Sequence, residues 1–526
     1  MNMTAFAQAC GGVGLFLLGM TLMTGALKSL AGDALKDILA KFTGGRISAI
    51  LLGTVVTTMV QSSHVTTIAA IGFVSAGLLS FRNSLGVIFG ANLGTTTIGW
   101  IVSLLGFKFK IGLISLPLVA AGALLRITGS KKILHLGTVL CGFALIFIGV
   151  DFLQTGMGGL ASIIHLEGFH GSTFSGRIIL VGIGIVMVLI MQSSGATITM
   201  TLAALASGTI SLEQGAALVI GQNIGTTITA AVAGIGATAQ AKRTAVAHIM
   251  FNVFTAVIAF IILPVMIVFL KYVSQRAGIV SETIILSAFH SAFNILGVLI
   301  FTPFLDYFAL AIEKMIPQTG PDLTRNLDSS VHTIPSIALE SGRRTIYEIL
   351  KAELFMISRI LNGKPAASEV TSDELKEAIL KTSSFLTKIR SRNDESEKEF
   401  NYHINLLHAI EHVDFIFQAI MERENSNMVF MDESLNNASA DLKREVDQLL
   451  EWINSGHLSD YPEFVKDVSR KVKTVRKNER KEIFKKTASG QFDTERTYKM
   501  IENLRWMDKV TYRLWRSVKY LSGHNV

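Results

Sequence analysis

Fourteen candidate ligands, all uncharged polar side chains, fall in four short stretches of an otherwise apolar sequence. MVQSSHVTT (59–67) carries Gln61, Ser62, Ser63 and Thr66, and GANLGTT (90–96) carries Asn92, Thr95 and Thr96. IMQSSGATIT (190–199) carries Gln192, Ser193, Ser194 and Thr197, and GQNIGTT (221–227) carries Asn223, Thr226 and Thr227. These groups bring oxygens without charge. Hydroxyls, side-chain amides and freed carbonyls are hard neutral ligands for a small cation such as Na+, whereas helix N-termini at the same points favour an anion. One site can hold both, each ion lowering the desolvation cost of the other. No Arg or Lys lies in the stretches. Neither QSS serine has a base and an orienting acid beside it, so nucleophilic chemistry is disfavoured and an enzyme is not expected.

Ser and Thr in apolar helices often only bond back to the previous turn or join neighbouring helices. Thr21 fits that reading, and Thr67, Thr97 and Thr199 stay near it. What lifts the four stretches above it is duplication. Residues 45–96 align without gaps onto 176–227: GRI on GRI, Gly53 on Gly184, QSS on QSS, Thr66 on Thr197, Gly77 on Gly208, and GANLGTT on GQNIGTT.

Positioning follows from the repeat. The apolar arms on either side of each QSS are too short to span a bilayer, which takes about 20 residues. Each pair predicts a re-entrant hairpin with a polar tip. The glycines and threonines of GANLGTT and GQNIGTT predict an unwound break in the next helix, tolerated where it lines a cavity. Paired interruptions in two halves point to a transporter's binding site. Three apolar segments (84–106, 109–127, 133–155) separate the hairpins, so the second enters from the opposite side and the repeats (about 45–127 and 176–263) are inverted. Segments near 215–236, 244–270 and 284–310 follow.

The 526 residues have a mean hydropathy of +0.46 and a net charge of +8. Residues 1–330 hold 17 Lys/Arg and 10 Asp/Glu, the remainder 31 and 30, so an apolar membrane part precedes a highly charged soluble part. The basic excess of the first part reads as loop charge that orients helices, not as a nucleic-acid footprint, and the basic run from Arg470 to Lys486 suits a place against anionic lipid. With the C-terminal part cytoplasmic, the charged loops obey the positive-inside rule and the N-terminus lies outside. Residues 5–27 read as a retained helix rather than a cleaved signal. Cys10 and Cys141 read as small buried hydrophobes. Between residues 48 and 165 the acidic side chain is Asp151, near a segment end, and between 177 and 241 it is Glu213. A proton-driven carrier usually shows an intramembrane carboxylate or histidine relay. That scarcity favours Na+ coupling, while His64 keeps a proton route open.

With these motifs the chain resembles the bacterial branch of the type II sodium-dependent phosphate cotransporters, over roughly residues 1–310. The resemblance rests on the two QSS tips, the two GxN[LI]GTT breaks, GLFLLGMTLMTGAL (14–27), and the elements HIMFN (248–252) and HSAFN (290–294). It implies Na+-coupled transport of inorganic phosphate across the inner membrane, with Na+ ligands among the fourteen residues. Two departures stand out. No H-D-x-F-N element follows the first break, and His64 and Gly195 occupy the place of a third small hydroxyl residue. His248 by itself reads as a satisfied core histidine. Another oxyanion or a small carboxylate would suit the same chemistry, and a phosphate-signalling adaptor that has lost transport is a further alternative.

The fold class expected is all-α: a polytopic membrane domain (1–316), a linker marked by Pro317, Pro321 and Pro335 (317–338), and a cytoplasmic helical bundle (339–526). Helical periodicity covers 343–361, 372–389, 398–420, 439–453, 461–486 and 494–521. The bundle resembles the PhoU-like regulatory domains, which implies a protein partner.

Overall fold

The computed structural model describes residues 3–41, 45–75, 79–108, 112–160, 171–233, 238–279, 281–317, 322–328, 332, 335–362, 370–389, 397–424, 436–455 and 461–523. Among them every regular element is helical and none is a strand. They gather into two compact units, one within residues 1–318 and the other principally 319–526.

The first unit opens with α1 (Met3–Lys41), followed by α2 (Arg46–Val60), α3 (Ser63–Ser75), α4 (Phe81–Thr95) and α5 (Thr97–Ile101). A π-helical segment, Val102–Lys108, continues α5. Then come α6 (Gly112–Thr128), α7 (Lys131–Leu160), α8 (Phe174–Met191), α9 (Ser194–Ala206), α10 (Leu212–Gly225) and α11 (Thr227–Ala233). The unit ends with α12 (Ala239–Arg276), α13 (Glu282–Phe301) and α14 (Leu305–Met315). Among the described residues seven stretches are long and apolar enough to cross a membrane: Met3–Leu27, Phe81–Phe107, Lys132–Gly159, Phe174–Met191, Leu212–Val232, Ala239–Arg276 and Glu282–Phe301. The chain is an all-α polytopic membrane protein. Two lengths differ from the sequence expectation. α6 has 17 residues, while α8, taken from the sequence as an arm too short to span, has 18. At about 1.5 Å per residue α8 reaches the lower limit of a crossing.

The duplicated glycines serve close packing. A methyl group at Gly53 would collide with the Val87 carbonyl and one at Gly90 with the Ile50 carbonyl, so α2 and α4 meet backbone to backbone. Gly184 and Gly221 do the same for α8 and α10, against the Leu218 and Val181 carbonyls. Lipid is as apolar as Leu, so helices in it associate through such close van der Waals contact. The helices α4–α5 and α10–α11 are each interrupted at a single residue, Thr96 (φ −67°, ψ −19°) and Thr226 (φ −61°, ψ −22°), and both residues keep right-handed dihedrals. The expected unwound stretch is thus a one-residue interruption, because the glycines beside Asn92 and Asn223 hold a neighbouring helix instead of freeing the backbone.

Around α9 the buried core draws Phe16 from α1, Ile98 from α5, Ile146 from α7, Ala217 from α10, and Phe289 and Phe293 from α13. Cys10 corrects the sequence reading: it is exposed, Cys141 is half-buried, and both are free thiols.

The second unit comprises a 3-10 turn (Asp322–Thr324) and α15 (Pro335–Leu361), α16 (Ser372–Thr387), α17 (Glu397–Glu424), α18 (Asn436–Ser455), α19 (Phe464–Ala488) and α20 (Thr494–Leu521). Their apolar stripes make the core; Trp506 of α20, for example, donates to the Ala419 carbonyl of α17 at 2.8 Å. A reciprocal cap between Thr371 and Glu374 starts α16, and Gly490, at φ 74°, follows the end of α19 as a left-handed glycine should. α15 begins eight residues before its periodicity predicts. Pro335 suits a first helical turn, and Ile337, Ala338 and Leu339 extend the buried stripe. Leu323, inside the expected linker, is also buried.

Candidate functional site

Each QSS joins the C-terminus of one helix to the N-terminus of the next. Gln61 ends α2 at φ 54° and Gln192 ends α8 at φ 52°; among the described residues these are the two non-glycine residues with positive φ. That region costs an L-residue roughly 1–2 kcal/mol, and strain of this kind collects at functional sites. Each glutamine amide donates back across its turn, Gln61 Nε2 to the Thr58 carbonyl and Gln192 Nε2 to the Leu189 carbonyl, both at 2.5 Å. Their Oε1 atoms are left as acceptors.

Ser62 and Ser193 cap the helices that follow. Ser62 Oγ accepts from the Val65 N–H (3.4 Å) and Ser193 Oγ from the Ala196 N–H (3.3 Å). A hydroxyl that accepts from the backbone keeps its proton to give. Ser63 and Ser194 stand in the first turns of α3 and α9, where amide N–H groups lack an intrahelical acceptor.

The threonines behave in the opposite way. Thr95 donates to the Ala91 carbonyl (3.0 Å), Thr96 to Leu93 (2.8 Å), Thr226 to Asn223 (2.7 Å) and Thr227 to Ile224 (2.8 Å). Their protons are committed, and oxygen lone pairs are what they offer. Asn92 and Asn223 likewise spend an amide hydrogen, on the Ile88 carbonyl (3.0 Å) and on Asn252 Oδ1 (3.2 Å). Thr66 and Thr197 stay within their hairpins: Thr57 Oγ1 lies 2.8 Å from Thr66 Oγ1, and Thr197 donates to the Ser194 carbonyl at 2.9 Å.

Three of the four stretches meet at α5. Gln61 Nε2 reaches Thr97 Oγ1 at 3.4 Å, tying the first tip to the first break. The second tip arrives from the other repeat: a methyl at Gly195 would lie 3.8 Å from Ile98, and one at Gly99 3.8 Å from Ile198. A relay from Trp100 Nε1 to Ser291 Oγ (2.8 Å) and on to Thr96 Oγ1 (3.0 Å) fixes the break against HSAFN on α13. The second break is tied elsewhere. Gln222 Nε2 donates to Thr201 Oγ1 (2.7 Å) on α9, and Asn223 pairs with Asn252 of HIMFN on α12. Gln192 is exposed and turns its amide onto its own helix.

Sequence reasoning left Thr97 near a structural role and did not single out Trp100, Thr201, Gln222, Asn252 or Ser291 as site residues. Thr97 faces Ile228, and Gln222 faces Ala91, in the repeat alignment, so matching the halves hides both. The histidine reading is corrected as well. His248 Nδ1 and His290 Nδ1 are buried without a hydrogen-bond partner among the described residues, as are Asn252 Nδ2, Asn294 Oδ1, Thr255 Oγ1 and Gln222 Oε1. A polar group with no partner costs several kcal/mol in an apolar interior, so their gathering beside the breaks marks places where a bound ion or water would be favourable.

A family model described as Na+/Pi-cotransporter matches residues 15–155 and 161–297, which contain both repeats and all four stretches. The chain belongs to the Na+/Pi-cotransporter family. Among curated relatives it is 31% identical over 306 residues to an uncharacterized protein of Bacillus subtilis, YqeW, covering 57% of this chain and 95% of that one. It is 26% identical over 364 residues to the putative inorganic phosphate export protein YjbB of Escherichia coli, covering 67% of this chain and 65% of that protein. A shorter match, 30% over 95 residues, covers 17% of this chain and 15% of the sodium-dependent phosphate transport protein 2A of Ovis aries. No solved structure matches. Membership of this family, with relatives named for phosphate transport, supports phosphate transport as the function.

Proposed function

We propose that the chain couples Na+ to inorganic phosphate movement by alternating access of two inverted repeats in an inner membrane. The observation that carries this reading is the pair of left-handed glutamine turns, each followed by a serine that caps a helix. The proton-bearing Ser62 and Ser193, with the N-termini of α3 and α9, bind phosphate oxygens. Lone pairs of Gln61 and Gln192, of Asn92, Thr95 and Thr96, and of Asn223, Thr226 and Thr227 coordinate Na+. Ser63, Ser194, Thr66 and Thr197 complete the two tips. Bound Na+ supplies the positive charge that the stretches lack. Each hairpin is re-entrant, entered from its own side of the membrane, and the occupied site opens alternately as the repeats rock. The E. coli relative is named for phosphate export and the sheep relative for sodium-dependent phosphate transport. A symporter accommodates both, since the net driving force sets direction.

Residues 317–338 serve as the linker and 339–526 as a cytoplasmic PhoU-like domain that regulates the carrier through a protein partner. Labelled phosphate uptake into proteoliposomes tests the core of this reading. Flux requires an inward Na+ gradient, is not supported by K+ or a proton gradient, and is lost in Gln61→Ala and Gln192→Ala. Na+-driven flux of a different anion with phosphate inert would overturn the substrate. Absence of any flux, with phosphate-dependent capture of a partner by the full chain, would leave an adaptor.

A further inference from the structure

We infer that the second unit carries a binding cleft for a small anion bearing two or more phosphate groups, between α19 and α20. The inference is independent of the transport site. A cavity of about 270 Å3 lies there, lined by Arg476, Lys477 and Arg480 from α19 and Ile501, Leu504 and Arg505 from α20. Spacings of one and four residues on α19, and of three and four on α20, set these side chains on facing stripes of two packed helices.

Three of the four cations in this cleft have no acidic partner among the described residues. Arg476 pairs with Asp508 at 2.8 Å. The Arg480 guanidinium lies over the Phe484 ring, 5.5 Å from its centroid, an arrangement that orients the head group and leaves its N–H donors unspent. Lys477 and Arg505 are exposed and form no ion pair among the described residues. Residues 470–486 hold nine Lys/Arg and two Glu. Arg476 and Arg480 are like charges one helical turn apart, a spacing that destabilises a helix. Elsewhere in the unit exposed cations meet acids at that spacing, as Lys381 does with Glu377 and Lys499 with Glu495. Asp508 answers Arg476 but leaves Lys477, Arg480 and Arg505 without an acid, and that surplus points to a partner that supplies the missing negative charge.

Arginine forks and a lysine suit phosphate oxygens, the arginines bidentately. The volume exceeds what one tetrahedral oxyanion needs, given about 30 Å3 for a water in the liquid. Linked phosphates therefore fill the cleft better than orthophosphate. Ile501 and Leu504 give it an apolar floor for an organic substituent. The same phosphate chemistry exists on a lipid headgroup, but a walled cleft between two helices favours a soluble ligand over a membrane plane.

The test uses the full chain in nanodiscs of zwitterionic lipid, titrated calorimetrically with sodium tripolyphosphate. The expected result is saturable binding that weakens roughly tenfold or more in Arg480→Gln/Arg505→Gln and stays unchanged in Gln61→Ala/Gln192→Ala. Thermal unfolding followed by tryptophan fluorescence verifies that the charge variant folds, and Lys477→Glu is a second variant with the same expected loss. No saturable binding overturns the inference, as does equal affinity in the charge variants. Loss confined to the glutamine variant also overturns it, since the anion would then sit in the transport unit. Repeating the titration in phosphatidylglycerol nanodiscs separates the two phosphate sources. An affinity unchanged there supports the soluble ligand; one that falls in the wild type alone assigns the cleft to lipid headgroups and overturns it.

Discussion

Gln61 and Gln192 hold a backbone conformation that glycine adopts without steric cost, so backbone preference and side-chain chemistry pull apart at one position. Gln61→Gly removes the strain and the amide together. Its thermal stability in detergent should equal or exceed that of the wild type, by about 1 kcal/mol at most, while phosphate flux is lost. Gln61→Ala keeps the strain and should melt below Gln61→Gly. A glycine variant that transports normally would show that the amide binds nothing. The serines and threonines divide by where their protons go. Ser62→Ala and Ser193→Ala should raise the phosphate concentration for half-maximal flux about 10–100-fold, the worth of a hydrogen bond to a charged group. Thr96→Val and Thr227→Val should act chiefly on the Na+ dependence. Flux measured against each ion in turn checks the division, and equal shifts in both would contradict it.

At the scale of elements, the paired glycines of each repeat set the distance between a hairpin arm and the helix it packs on. Gly90→Ala and Gly221→Ala drive a methyl group into a facing carbonyl and should cost about 1–3 kcal/mol or abolish the folded carrier. Gly182→Ala, on the open face of α8 with nothing within 4 Å, should be tolerated. Size-exclusion profiles and thermal melts of the three variants decide this. The helices themselves were legible from periodicity, including α20, which runs from Thr494 to Leu521 as expected. The role of the glycines was not. A glycine that admits another backbone and one that loosens its own look alike in one dimension.

At the scale of the whole molecule, the proposed inversion of the repeats predicts sidedness. Gly45 and Ser172 lie just ahead of α2 and α8. With Cys10 and Cys141 replaced by Ser, Gly45→Cys and Ser172→Cys should react with an impermeant maleimide from opposite sides of oriented vesicles. Labelling from the same side would remove the inverted arrangement. The second unit has its own dependence on pH. Glu353 of α15 and Glu445 of α18 are fully buried; among the described residues Glu445 has no hydrogen-bond partner, and Glu353 has at most a weak approach to the Phe417 backbone. Burial, with Asp414 adding to it for Glu353, pushes both well above the usual carboxylate range. The folded state then holds protons that the unfolded chain has released. Stability from this source is present below the unfolded value, near 4.5, and declines as pH rises towards the folded one. Glu353→Gln should therefore raise the melting temperature at pH 8 by several degrees and change it little at pH 4, at about 2–4 °C per kcal/mol for a unit of this size. Tryptophan fluorescence reports the transition, since Trp452, Trp506 and Trp515 belong to this unit and Trp100 to the other.

What the sequence determined by itself is local or repeated: apolar runs of helical length, two tips, two interruptions, and the uncharged oxygens at each. These follow from composition, from the 3.6-residue period, and from polar residues kept in register by duplication. The tertiary structure alone decided which of them meet. Gln61 finds Thr97 across 36 residues, and Ser291 finds Thr96 across 195. Gln222 and Asn252 enter through positions where the halves differ. Contacts between distant residues leave no periodic trace, and an asymmetric contact leaves none in a repeat. The left-handed turn at each QSS is of the same kind, for nothing in a glutamine's own preferences asks for positive φ; the packed arms on either side impose it.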